Sequence, residues 1–505
     1  MSINNNMSIN NKIVSINNSV LSADSVSLCY GHFNLTHPGH LRYLQHAKTL
    51  ADKLVVAIIS DKELDEDSFG HHFSEEERAE SVINLQIVDY VVILNETTLD
   101  DLIDAIKPKA LVLGKEFEQK QPKKISLAIS TANKEGSVKF HAGEVHYFNS
   151  NLLYRNVSDI ESSNRNKLNS ICKDYNINVN NLEDRLNNFS NSKLVVIGDT
   201  IVDNYVACDA LGMSAEAPVL VVKELKNREF IGGAAIVASH VAALGAKCHY
   251  ISVVGEDDQS NMVSKSLIDQ GVSADLIVDT SRPTTYKTRY MVENQKLFRV
   301  SRIKDHKISE EIEQKIISKI TALAPDINGI LVSDFVYGVI TQNILDTISN
   351  LSKQFDIKLY GDLQCSSQVG KVSKFDRFDL ITPTEKESRI ALDDDESGIE
   401  WVATTLLKST NSKNMLMKLG SDGFIAYSSN LSYRQDFPAL SVNPVDVTGA
   451  GDSLFAAMSV SLSSGASLIE ASIIGTFMAS LVVKEVGNIP ITNDRLNQYM
   501  LEVLE

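Results

Sequence analysis

From residue 26 onward, short apolar runs alternate with amphipathic stretches. Residues 26–30, 53–60, 88–94 and 110–114 read as buried strands, and residues 41–51, 75–85 and 99–106 read as helices between them. That alternation predicts βαβ units and a parallel sheet, which a strand near residues 138–147 would close. Residues 157–192 are polar and rich in Asn, and read as a linker carrying at most a short helix. At Lys193 the pattern restarts with an apolar run ending in Gly198-Asp199, and strand–helix alternation continues to Glu505, as expected of one large α/β domain. Within it, residues 219–230 and 284–300 alternate apolar and polar side chains, which predicts a small lid sheet. The first 25 residues repeat Ser-Ile-Asn-Asn. They lack the basic flank and apolar core of a signal peptide, and read as a disordered leader.

The expected fold is therefore α/β in two domains, 26–156 and 193–505, and 505 residues exceed what one core accommodates. Hydrophobic residues at 43% and charged residues at 22% are ordinary for globular protein. The formal charge of −17 argues against a nucleic-acid or membrane binder. Cys29, Cys172, Cys208, Cys248 and Cys365 are scattered, with no CxxC pair, so neither a metal site nor a disulfide framework is expected; a reducing cytoplasm fits.

Two segments carry chemistry. Residues 446–453 read DVTGAGDS and run into a helical pattern, which places Gly449, Ala450 and Gly451 at a helix N-terminus. Small residues there let backbone amides approach an anion, and the helix dipole favours negative charge. Asp452, directly after this nest, can take a proton from an attacking hydroxyl during phosphoryl transfer. The plainer reading is a strand-to-helix turn with an N-cap carboxylate. Near the other end stands GHFNLTHPGH (31–40), a glycine turn after a strand with proline opening a helix. His37 and His40 are three apart and share one face of its first turn, where imidazoles can donate to phosphate oxygens.

The order of GDTIVDNYV (198–206), GGAAIVASHVAALGA (232–246), ISVVGEDD (251–258), TTYKTRY (284–290) and DVTGAGDS resembles the PfkB/ribokinase family of sugar kinases, and heptose 7-phosphate kinases within it. The resemblance implies that Asp452 is the base and Gly449–Gly451 the anion hole. It places Asp199, Asp203, Gly232 and Gly233 at the sugar, and Lys287 and Arg289 toward a substrate phosphate. Glu387 would organise Mg²⁺-bound water, with Gly420 and Gly423 beside ATP. Five positions depart from the family pattern. Ile236 stands for an Asn, Gly212 for an Arg, Tyr337 and Gln364 for lysines, and Thr384 for an Asn.

Residues 26–156 resemble the cytidylyltransferase-like superfamily through HPGH, which implies a Rossmann-like nucleotidyltransferase. That resemblance makes His37, His40 and Lys48 catalytic. It places Gly31, Phe33, Asn34, Arg78, Gly114, Ser150 and Arg155 at the nucleotide, with Asp61 after the second strand. Asn34 departs from the family's Asp. A kinase joined to a nucleotidyltransferase resembles the bifunctional enzymes of ADP-heptose synthesis, here with the transferase first. The implied partners are a sugar phosphate and ATP, the implied assembly a homodimer. Another sugar phosphate, CTP in place of ATP, and one degenerate half kept for assembly or sensing stay open as alternatives.

Overall fold

A computed structural model describes residues 25–504 apart from 35, 37, 64–72, 96, 115, 116, 118–121, 142–156, 217, 218, 293, 294, 366, 430–433 and 442. The expected disordered leader lies outside the described residues. The chain divides into two compact units, Met1–Asn156 with Asp394–Thr404, and Val157–Asp393 with Thr405–Glu505.

The first unit is a five-stranded parallel sheet. Its strands are β1 (Val26–Gly31), β2 (Lys53–Ile59), β3 (Tyr90–Leu94), β4 (Ala110–Gly114) and β5 (Ser137–His141), in the order β3-β2-β1-β4-β5. The helices between them are α1 (Pro38–Lys48), α2 (Glu75–Ile83), α3 (Leu99–Ile106) and α4 (Lys123–Glu135). Residues alternate between two apolar layers. Leu28, Val55, Ala57 and Leu111 pack with α3 and α4 on one face, and Cys29, Val56, Ile58 and Val112 with α1 and α2 on the other. Side chains buried on both faces explain why these strands read as unbroken apolar runs. Sequence order reverses at β1, so Gly31 and Gly114 end two neighbouring strands at the topological switch point, where such sheets bind ligands.

The second unit begins with α5 (Val157–Asp174) and α6 (Val179–Asn187). These occupy the stretch read as a polar linker. Leu168, Ile171, Cys172, Leu182 and Leu186, spaced three to four apart, are buried in the second unit's core. The asparagines that suggested a linker lie on the other faces, and Asn178 caps α6 by accepting from the amide of Asn181.

Strand β6 (Lys193–Met213) is the spine of this unit. Its first half lies between β8 (Lys247–Val254) and β12 (Gly329–Asp334), parallel to both. The sheet continues on one side to β9 (Ser273–Val278) and on the other through β13 (Lys358–Leu363), β14 (Leu380–Ile381), β15 (Asn414–Lys418), β16 (Phe424–Ser428) and β17 (Arg434–Phe437). Its second half leaves that sheet, pairing antiparallel with β7 (Leu220–Gly233) and parallel with β10 (Thr285–Val292), which in turn pairs with β11 (Gln295–Arg302). The expected lid therefore exists, built on the same strand as the core. Helix α7 (Ala234–Ala243) and the near-wholly buried pair α8 (Ala450–Ser463) and α9 (Leu468–Val482) pack the central sheet.

Candidate active sites

Five parallel strands of the second unit deliver polar residues to one edge. Asp199 lies where β6 leaves the central sheet, Asp334 and Lys418 end β12 and β15, Asp362 lies near the end of β13, and Thr382 follows β14. Such carboxyl ends are where α/β sheets bind ligands. Helix α8 starts at this edge. Gly449 takes φ +80° and a Cβ there would stand 2.5 Å from Asn488 Oδ1, so no other residue fits that turn without strain. The first-turn amides of Gly451 and Asp452 lack carbonyls four residues back and point along the helix axis.

Asp452 is buried on that first turn. Gln364 Nε2 donates to its Oδ1 (2.6 Å) and to Asp362 Oδ2 (2.9 Å). Asp362 Oδ1 accepts from Lys418 Nζ (2.7 Å) and Thr382 Oγ1 (2.6 Å). Burial, with the Asp362 charge nearby, pushes the Asp452 carboxyl up to about 7, against the pull of Lys418 and the Gln364 bond. A base with that value is about half ionised at pH 7, fully ionised only above it, and still has affinity for a proton. Gln364, a departure in the sequence, thus bridges the two carboxylates.

The lid brings the sugar-side candidates together. Asp203 pairs with Arg289, which lies over the Tyr205 ring, and its Oδ2 accepts from Asn488 Nδ2 (3.2 Å). A Cβ on Gly232 would stand 2.4 Å from Asp203 Oδ2, so glycine is what lets that carboxylate lie there. At Gly233, φ +62° and a Cβ position 2.4 Å from Asp199 O impose the same choice. Asp199 Oδ2 accepts from the amides of Phe335 (2.8 Å) and Tyr337 (3.4 Å), while its buried Oδ1 has no partner among the described residues. Burial holds the Asp199 carboxyl above the usual range. Lys287 is buried with its ammonium 5.4 Å and 5.2 Å from the Phe335 and Tyr337 ring centres.

Several residues that pattern reading missed complete the site. Lys374 pairs with Asp334, and burial lowers its ammonium to about 8. Asp446, on the approach to the nest, accepts from Tyr205 (2.8 Å), Thr448 (2.8 Å) and Lys296 (3.0 Å). Burial works against its charge, but those bonds prevail and lower it to about 2. Asn488 touches both the nest and Asp203. Lys374 and Asn488 carry no motif of their own, whereas Asp446 opens the DVTGAGDS segment without having been assigned a role there.

Glu387 stands differently from expectation. Its Oε2 accepts from the amide of Thr384 (2.8 Å) and its Oε1 from that of Cys365 (2.9 Å). Thr384 in turn caps Glu387 N, closing a capping box at the helix Glu385–Leu392. A threonine caps as an asparagine does, which accounts for that departure. Gly420 (φ +66°) and Gly423 (φ +93°) form the turn after Lys418.

In the first unit, Gly31, Gly114 and His40 gather at the switch point, whereas His37, Ser150 and Arg155 lie outside the described residues. Three other expectations are corrected. Lys48 sits at the far end of α1, roughly 12 Å beyond His40 at 1.5 Å per residue. It pairs with Asp89 at the amino ends of β2 and β3, away from the switch point. Arg78 is buried and turned inward. Its Nε donates to Phe73 O (3.0 Å), Nη1 to His32 O (2.5 Å), and Nη2 to Ile59 O (2.8 Å) and Asp61 (2.7 Å). Phe33 (φ +48°) is buried with its ring 5.1 Å from that of His40, so it supports the histidine and does not face the edge. Asn34 Oδ1 accepts from the amide of Phe73 (2.8 Å).

Residues 191–494 match the pfkB family carbohydrate kinases, and residues 28–166 the cytidylyltransferase-like family. The bifunctional protein HldE of Helicobacter hepaticus is 32% identical over 312 residues, 61% of this chain and 64% of that protein. That of Desulfatibacillum aliphaticivorans is 32% identical over 304 residues, 59% and 61% of the two chains. The chain thus spans a little under two thirds of the curated relatives it matches. The crystal structure of phosphofructokinase-2 from Escherichia coli with substrates and products aligns at TM-score 0.53 and 17% identity, over 62% of this chain and all of that one, a likeness of fold.

Proposed function

Because the chain belongs to the pfkB family of carbohydrate kinases, we propose that it is a bifunctional enzyme making a nucleotide-activated sugar. Its kinase half phosphorylates the anomeric hydroxyl of D-glycero-β-D-manno-heptose 7-phosphate. After a separate enzyme removes the 7-phosphate, the first half joins heptose 1-phosphate to ATP, releasing pyrophosphate and forming ADP-heptose for a surface glycan such as lipopolysaccharide. What carries the reading is the buried Asp452, poised near neutrality beside the Gly449–Gly451 nest and on the same edge as Asp199 and Asp203. The names of the bifunctional relatives support the second activity.

In the kinase step, Asp199 and Asp203 accept bonds from sugar hydroxyls and orient the acceptor. Asp452 takes the proton of the attacking hydroxyl, and the nest amides receive the charge of the phosphoryl group. The carboxylates at this edge, Asp362 and Glu387, already accept from Lys418, Thr382 and Gln364 and from the amides of Thr384 and Cys365. A Mg²⁺ accompanying ATP would therefore be held by the phosphates and water rather than by these side chains, and would supply neutralisation of triphosphate charge. In the transferase step, His40, on the first turn of α1 at the switch point, donates to the phosphates, and His37 takes the same role on the strength of the HPGH motif.

A second reading keeps both chemistries with a different sugar phosphate, or CTP. It is favoured by Ile236, buried in α7 where the family's Asn would meet a hydroxyl, and by Tyr337 in place of a lysine. Assaying a panel of sugar phosphates with ATP and with CTP separates them. Turnover confined to heptose phosphates and ATP is the expected result, and a better non-heptose acceptor overturns the substrate. His37→Ala is expected to abolish pyrophosphate release while leaving sugar phosphorylation intact; unchanged release sinks the transferase assignment.

The enzyme works as a cytoplasmic homodimer joined through its lids. Leu211, Met213, Val221, Leu225, Phe298 and Val300 are exposed apolar residues on the lid strands β6, β7 and β11, the kind of surface a partner copy would cover. Sedimentation is expected to give twice the 55.6 kDa chain mass, and Leu211→Asp with Leu225→Asp to halve it. A monomeric parent protein discards the interface.

A further inference from the structure

The Lys418 side chain is only 11% exposed at this edge of the kinase unit, and none of the steps above uses it. Its ammonium is 2.7 Å from Asp362 Oδ1 and 3.5 Å from where a Cβ on Gly451 would stand. Gly451 belongs to the anion nest, and having no side chain it leaves the ammonium open to whatever the nest amides hold. Burial works against charge on Lys418, yet Asp362, Glu387 and Asp452 outweigh it and raise its pKa. It therefore remains an ammonium at working pH. Asp362 is fully buried and is held by Thr382 and Gln364 as well, so Lys418 is not its sole partner. A buried ion pair is on its own a poor source of stability, which leaves the position of this one, at the mouth of the nest, to be accounted for.

Resting on the kinase reading, we propose that Lys418 is a catalytic cation whose ammonium contacts the phosphoryl group passing from nucleotide to sugar. The sugar oxygen forms its bond to the γ-phosphorus as the bond to the bridging oxygen breaks. The hydroxyl proton goes to Asp452 and the electron pair to the leaving ADP. Lys418 keeps its protons throughout and offsets the charge on the equatorial oxygens. Gln364, which bonds both Asp362 and Asp452, lies on the opposite side of the same carboxylate. A lysine there, as the family resemblance leads one to expect, would reach the same region, so one cation is supplied from β15 in place of another after β13.

Lys418→Met is expected to lower kcat for sugar phosphorylation by about a hundredfold, the usual loss for one pre-aimed electrostatic group. Lys418→Arg should restore much of it. The exchange Gln364→Lys in a Lys418→Thr background should recover about tenfold over Lys418→Thr alone if the two positions serve one role. A purely structural lysine gives a different pattern: lowered thermal stability, kcat within threefold of the parent, and no rescue by Gln364→Lys. If the single variants do not fold, the unaltered enzyme decides. In its complex with sugar phosphate and a non-hydrolysable ATP analogue, Lys418 Nζ should lie within hydrogen-bond reach of a γ-phosphoryl oxygen, and a nitrogen left only on Asp362 overturns the proposal. Failure of the kinase reading itself is distinguishable, since then the unaltered chain phosphorylates no sugar phosphate.

Discussion

Asp452→Asn is expected to lower the proposed sugar-phosphate phosphorylation by about a thousandfold, within the range for loss of a positioned general base. The amide keeps the size and the contact with Gln364, so the nest and the helix start stay in place. Nucleotide affinity should change little, and a variant with more than a tenth of parental kcat removes Asp452 from the role of base. The parent's pH profile is a second, independent readout. A base is active when ionised, so kcat/KM should rise tenfold per unit below about pH 7 and level off above it. Stability runs the other way. The folded value of about 7 lies above the ordinary 3.8, so the contribution of this carboxyl is full below about pH 4 and lost as pH rises to about 7. Asp452→Asn should therefore melt higher than the parent at pH 8, and the two should converge toward pH 4. A parental melting advantage at pH 8 would contradict the burial argument.

Arg78→Met is the second large effect, and it concerns the first unit. The side chain ties three backbone carbonyls, His32 O, Phe73 O and Ile59 O, from segments that border the switch point. Its ion pair with Asp61 is partly exposed on the aspartate side and counts for little. Phe73 is exposed, so the loss of a donor falls chiefly on the carbonyls of half-buried His32 and Ile59, at about 1–3 kcal/mol for each group left unmet. A total near 3 kcal/mol is expected, read as faster amide exchange across β1 and β2, with pyrophosphate release lost on mild heating and sugar phosphorylation retained. If exchange in β1 and β2 is unchanged, Arg78 is not the tie described; a specific rise in KM for nucleotide with full stability would return it to the ligand side.

The contrast between Arg78 and Asp452 shows where pattern reading ends. The position of Asp452 on the first turn of a helix was legible because glycine, alanine, glycine and an acid before a helical pattern fix local backbone and charge together. Arg78 and Lys48 were misplaced because a motif gives a residue's position along a helix and not the direction of its side chain. Lys48 lies too far along α1 to reach the edge, and Arg78 faces the sheet, where carbonyls compete for it. The supposed linker failed for a related reason. Asparagine lowers average hydrophobicity, but Leu168, Ile171, Leu182 and Leu186 keep helical spacing, and burial follows the spacing.

By itself, the sequence determined the α/β alternation, the restart at Lys193, the lid strands and the two chemically loaded helix starts. All of these are local: period, cap and glycine turn act over a few residues. Only the tertiary structure decided that Asp362, Thr382, Lys418, Asp452 and Asn488, spread across much of the second unit's sequence, form one cluster. They meet because β13, β14 and β15 run parallel and end at one edge, and because α8 begins there. Long-range pairing of strands, which no local spacing encodes, is what makes a scattered set of side chains into a site.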